Sequence, residues 1–113
     1  EVILLDEPTS NLDIKHQLEV MELIRRLVDE RSLLAVMAMH DLNLAARYSD
    51  TVLMLKGKSI YRAGTPEDVL TAENILETYG VRAEIITSRF AKPHIIPLES
   101  GNETAQVPLE AKG

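Results

Sequence analysis

Apolar residues in this chain first run together rather than alternate. Val2-Ile3-Leu4-Leu5 and residues 33–39 are unbroken apolar stretches of strand length. Strands of this kind are buried on both faces, as in parallel α/β sheets. Between them the period becomes helical. Leu18, Met21, Ile24 or Arg25, and Val28 form one stripe, with Val20, Leu23 and Leu27 beside it. Lys15, Glu19, Glu22, Arg26 and Glu30 cover the outer side, so an amphipathic helix is predicted. It begins near Asp13, placed as an N-cap after the turn-like Pro8-Thr9-Ser10-Asn11.

Residues 41–48 read as a short helix with Asp41 as its cap. Residues 51–55 and 59–61 are predicted strands joined at Lys56-Gly57-Lys58, a hairpin signal. Thr65-Pro66-Glu67-Asp68 has the chemistry of a helix start: a capping hydroxyl, proline in the first turn and acids at the positive end of the dipole. Helices over 66–70 and 72–79 follow, the second stopped by Gly80. Strands over 81–87 and 94–98 complete the order, and the polar residues 99–113 are expected to be a loose tail. Alternation of strand and helix implies an α/β domain with parallel strands, covering helices and a hairpin.

With 113 residues there is room for one modest domain. A net charge of −6 supplies no basic patch, so nucleic acid is not an expected partner. Cysteine is absent, which excludes disulfides and thiolate zinc sites. The apolar runs are far short of a bilayer span, and no targeting segment is legible.

Chemistry concentrates after the two buried strands. Asp6 and Glu7 are adjacent carboxylates at the carboxyl end of the first, where open α/β sheets place ligand-handling groups. One acid there can hold Mg²⁺ through water, and its neighbour can orient or deprotonate an attacking water. Taken alone, such a pair is more often an exposed strand end leading into a turn. His40 follows the second strand, and a lone histidine there is more often structural than catalytic. An imidazole there can nonetheless donate to a phosphate oxygen.

The string Leu4-Leu5-Asp6-Glu7-Pro8-Thr9-Ser10-Asn11-Leu12-Asp13 resembles the Walker B motif and D-loop of ATP-binding cassette (ABC) ATPases. Met39-His40-Asp41-Leu42 resembles their H-loop, in the right order and separation. The resemblance spans about residues 1–98 and is strongest to Leu70. Details such as His16-Gln17-Leu18-Glu19-Val20 and Asn43-Leu44-Ala45 look most like ATPase subunits of iron-siderophore, haem and cobalamin importers. It implies Asp6 as the magnesium-associated Walker B acid, Glu7 as the catalytic base, and His40 as the switch histidine touching the γ-phosphate. Ser10 and Asp13 become D-loop residues reaching toward the opposite nucleotide site of a head-to-tail dimer. For Asp13, helix cap and cross-dimer contact are compatible.

The same resemblance implies residues 1–64 as the C-terminal portion of the nucleotide-binding domain and residues 65–98 as a helical and strand extension. It implies Mg²⁺ and ATP as cofactors, a second ATPase subunit and a membrane permease as partners, and a cytoplasmic place on the inner face of the membrane. No Gly-x-x-x-x-Gly-Lys-Ser/Thr loop occurs among these residues, nor the family's Gln loop or Ser-Gly-Gly signature. The chain by itself is therefore expected to bind Mg·ATP weakly and to turn it over negligibly. An unpaired strand edge should also make it self-associate. The alternative is a non-enzymatic interaction or assembly module that keeps this fold. A DNA-repair ATPase is disfavoured by the acidic balance and the lack of coiled-coil heptads.

Overall fold

The computed structural model describes residues 1–87, 89 and 91–101. Among these described residues six strands and four helices follow in the order β1 (Val2–Asp6), α1 (Ile14–Arg31), β2 (Leu34–Ala38), α2 (Leu42–Tyr48), β3 (Val52–Lys56), β4 (Ser59–Gly64), α3 (Pro66–Val69), α4 (Ala72–Tyr79), β5 (Val81–Thr87) and β6 (Pro93–Ser100). This is the expected α/β order. The chain divides into two compact units, Glu1–Tyr48 and Ser49–Gly113.

In the first unit β1 and β2 pair in parallel, from Val2 opposite Leu34 to Asp6 opposite Ala38. The 18-residue α1 is the crossover between them. Asp13 caps it by accepting the backbone N–H of His16, and Ser32 closes it in the left-handed conformation. Met21 is the buried centre of its inner stripe, whereas Leu23, expected beside that stripe, is 46 % exposed. Arg25 occupies the stripe position that it shared with Ile24 in the sequence reading. Its stem runs inward and its guanidinium reaches the Tyr48 carbonyl at the end of α2. Asp41 caps α2, accepting from the backbone N–H groups of Asn43 and Leu44.

Burial of the two strands on both faces is not what the structure shows. Along each, exposed and half-buried residues alternate. Val2, Leu4, Leu34 and Val36 share the open face, with Leu4 75 % exposed. The reason is that α1 covers one face only, and an apolar run reports what a strand tolerates rather than what covers it.

The second unit holds the denser core: Met54, Pro66, Val69, Leu70, Ile75 and Ile95 are buried. β3 and β4 form an antiparallel hairpin closing at Lys56 opposite Ser59. Gly57 takes a φ of +65°, as the first position of a two-residue turn requires. β4 continues to Gly64, beyond the expected end at Tyr61. Thr65 and Thr71 cap α3 and α4, accepting from the N–H groups of Asp68 and Asn74. Gly80 ends α4 at φ +69° with its N–H on the Leu76 carbonyl. β5 and β6 pair antiparallel. Glu99 and Ser100, expected in a loose tail, are the last residues of β6, and the Gly101 N–H donates to the Gly80 carbonyl at 2.7 Å. The rest of the expected tail lies outside the described residues.

Candidate functional site

The site grows from the carboxyl ends of β1 and β2. Parallel pairing puts both ends at the same edge, so whatever follows each strand is brought together without further design. The Glu7 N–H continues the ladder by donating to the Ala38 carbonyl at 2.8 Å. The backbone then inverts. Glu7 has φ +49°, a left-handed conformation uncommon outside glycine, asparagine and aspartate. Its carbonyl accepts the Ser10 N–H at 3.0 Å, closing a turn anchored by the buried Thr9. A cost of this kind persists only where surrounding contacts fix it, and it gathers at functional places.

The inversion carries the Glu7 side chain across to the end of β2. Its Oε2 lies 3.0 Å from Nε2 of His40, which sits in the link from β2 to the cap of α2. Glu7 is 39 % and His40 83 % exposed, so the pair is open to solvent and to a ligand. At this distance an Nε2–H of His40 can donate to Glu7, which leaves the second carboxylate oxygen free.

The other expected residues lie on β1, on the turn and at the start of α1. Asp6 closes β1 on the open face, on the side of Val2 and Leu4 rather than with Glu7. Adjacent carboxylates thus serve two directions, because successive strand residues alternate. Ser10 is exposed on the turn, and Asn11 beyond it is left-handed at φ +66°, a conformation asparagine tolerates. The Asp13 carboxylate is engaged at the start of α1, with one oxygen 2.9 Å from the His16 N–H and 2.8 Å from His16 Nδ1. The structure therefore joins Glu7 to His40, and Asp13 to His16. The His16 contact went unread, although its spacing from a capping aspartate is the signal for it.

Among the described residues no three His, Cys, Asp or Glu side chains gather as a metal cage. A single carboxylate such as Asp6 can reach a hard cation through water. Among the described residues no helix is long and apolar enough to cross a membrane.

No family model matches the chain. Individual relatives do. It is 47 % identical over 98 residues to an uncharacterised ABC transporter ATP-binding protein of Methanocaldococcus jannaschii, covering 87 % of this chain and 38 % of that protein. It is 46 % identical over 96 residues to the petrobactin import ATP-binding protein FpuC of Bacillus anthracis, covering 85 % and 35 % respectively. Over most of its length the chain is similar to ABC transporter ATP-binding proteins. The hemin import ATP-binding protein HmuV of Vibrio cholerae is 45 % identical over 82 residues, 73 % of this chain and 32 % of that one. Among solved structures, an inward-facing ABC transporter assigned to the metal-chelate type superposes with a TM-score of 0.74 at 28 % identity, over 86 % of this chain and 40 % of its own. This chain thus spans only 32–38 % of the length of these ABC relatives.

Proposed function

We propose that these residues are the C-terminal part of the ATP-binding subunit of an ABC importer, one that takes up an iron-siderophore, haem or cobalamin-type substrate. The observation that carries the hydrolytic reading is the Glu7–His40 contact of 3.0 Å at the shared edge of β1 and β2. Relatives named for petrobactin, iron-hydroxamate, hemin and cobalamin import support the substrate class.

In this reading Glu7 accepts the proton of the attacking water, or orients it, through the oxygen not facing His40. When nucleotide is bound, the Nε2–H of His40 passes from Glu7 to a γ-phosphate oxygen. Asp6, on the neighbouring face, holds magnesium through water. Magnesium bound there supplies charge neutralisation at the β- and γ-phosphates. Ser10 and Asp13 lie on the turn that approaches the opposite nucleotide site of a head-to-tail dimer, and Asp13 keeps its capping role.

The subunit works on the cytoplasmic face of the membrane, against a permease. The phosphate cradle that the reaction needs comes from residues outside these 113. Alone, the chain turns over ATP negligibly and self-associates through the open face of β1 and β2.

The test joins this chain to the phosphate-loop part of an ABC ATPase and measures magnesium-dependent ATP turnover. Activity that falls by about 10²–10⁴ with Glu7→Gln, and strongly with His40→Ala, supports the reading. Turnover indifferent to both substitutions overturns it and favours a non-enzymatic interaction module.

A further inference from the structure

We propose that Arg25 is a positioning residue for the Glu7–His40 pair, acting through α2. His40 has no regular structure of its own. It stands between the end of β2 and Asp41, the cap of α2, so α2 decides where its ring lies. A helix of seven residues cannot hold its place by its own hydrogen bonds, because nucleation is costly and propagation short. It must be held from outside.

Three features do this. Leu44 and Ala46 are buried on its inner face. Asp41 fixes its first turn, with one carboxylate oxygen 3.0 Å from the N–H groups of Asn43 and Leu44. At the other end Nη1 of Arg25 donates to the Tyr48 carbonyl at 3.2 Å, satisfying a last-turn acceptor that has no partner within the helix. Arg25 is itself fixed. Its Nη2 and Nε meet the two carboxylate oxygens of Asp29, one helical turn on, at 2.6 and 3.3 Å. The guanidinium beside Asp29 holds that carboxyl below the usual aspartate range.

The fork thus ties the far end of α2 to α1, whose own start follows the Glu7 turn. Glu7 is held by the β1–β2 ladder through its N–H on Ala38, so Arg25 acts on the His40 side of the 3.0 Å contact. Loss of the guanidinium frees the α2 end to shift, and His40 moves off Glu7. The geometric claim stands on these contacts alone, whereas its consequence for hydrolysis rests on the reading proposed above.

The test is NMR of the three histidine rings in the 113-residue chain. Glu7→Gln defines where the His40 signals go when the contact is lost. In Arg25→Met the His40 signals move toward that position while those of His16 and His94 stay, and Arg25→Lys restores them in part. His40 signals unchanged in a folded Arg25→Met variant overturn the proposal. Where Arg25→Met does not fold, Asp29→Asn decides. It leaves the arginine but loosens its fork, so a smaller His40 shift in the same direction supports the proposal and no shift overturns it. In the chain joined to a phosphate-loop part, Arg25→Met lowers kcat by roughly ten- to a hundredfold with KM for ATP nearly constant. Absence of any turnover there would count against the proposed function and leave the histidine measurement to judge Arg25.

Discussion

The two units of the chain divide labour. The unit Ser49–Gly113 buries Met54, Leu70 and Ile75 almost completely and closes its helices with threonine and glycine caps. The unit Glu1–Tyr48 leaves Val2, Leu4, Leu34 and Val36 in the open and carries the left-handed Glu7. Every residue proposed for chemistry lies in Glu1–Tyr48, at strand ends and turns. A closed region can be optimised for packing. The proposed role asks the other unit to receive a nucleotide and other protein surface, and its apolar face and carboxylates are accessible.

That contrast can be broken at several points. The largest effect concerns turnover: the 113-residue chain is expected to show no saturable magnesium-dependent ATP hydrolysis, read as phosphate release, whereas the joined protein does. Next in size is the core. Leu70→Ala, at a site 1 % exposed, should cost about 2–5 kcal/mol by urea unfolding. Leu4→Ser, on the open face, should change stability by no more than about 0.5 kcal/mol while reducing self-association in light scattering. An equal cost at both positions would erase the distinction between the units.

Smaller is the loss of a cap. Asp13→Ala should lower stability by about 1 kcal/mol, as should Thr71→Ala in the other unit. The smallest effect is electrostatic. Lys56 hydrogen-bonds Glu77 and holds its carboxyl below the usual glutamate range. A depressed pKa in the folded state contributes stability above the unfolded value, and that contribution is lost as pH falls through the folded value. Glu77→Gln should therefore flatten the acid limb of melting temperature against pH and leave neutral pH almost unchanged.

Much of this was legible in the residues. The strand and helix order followed from apolar runs and a 3.6-residue stripe, and Asp13, Thr65 and Gly80 marked helix ends because caps have distinct side-chain chemistry. Asp6, Glu7 and His40 were legible as candidates because the strings around them resemble family motifs, whereas their place at strand ends alone favoured a structural reading. What stayed hidden depends on long-range contacts. The inversion at Glu7 arises from two hydrogen bonds, to Ala38 and from Ser10, that no local propensity encodes. Arg25 was ambiguous within its stripe because a long stem can be buried while its charged end finds a helix terminus. The open face of β1 and β2 was unreadable, since periodicity describes a strand and not its cover.

The central claim is that Glu7, turned onto His40, performs chemistry rather than binding. The most direct measurement compares Mg·ATP affinity and single-turnover hydrolysis in the joined protein with and without Glu7→Gln. The account predicts nearly unchanged affinity and a hydrolysis rate lower by about 10²–10⁴. Equal rates, or a loss confined to affinity, would contradict it.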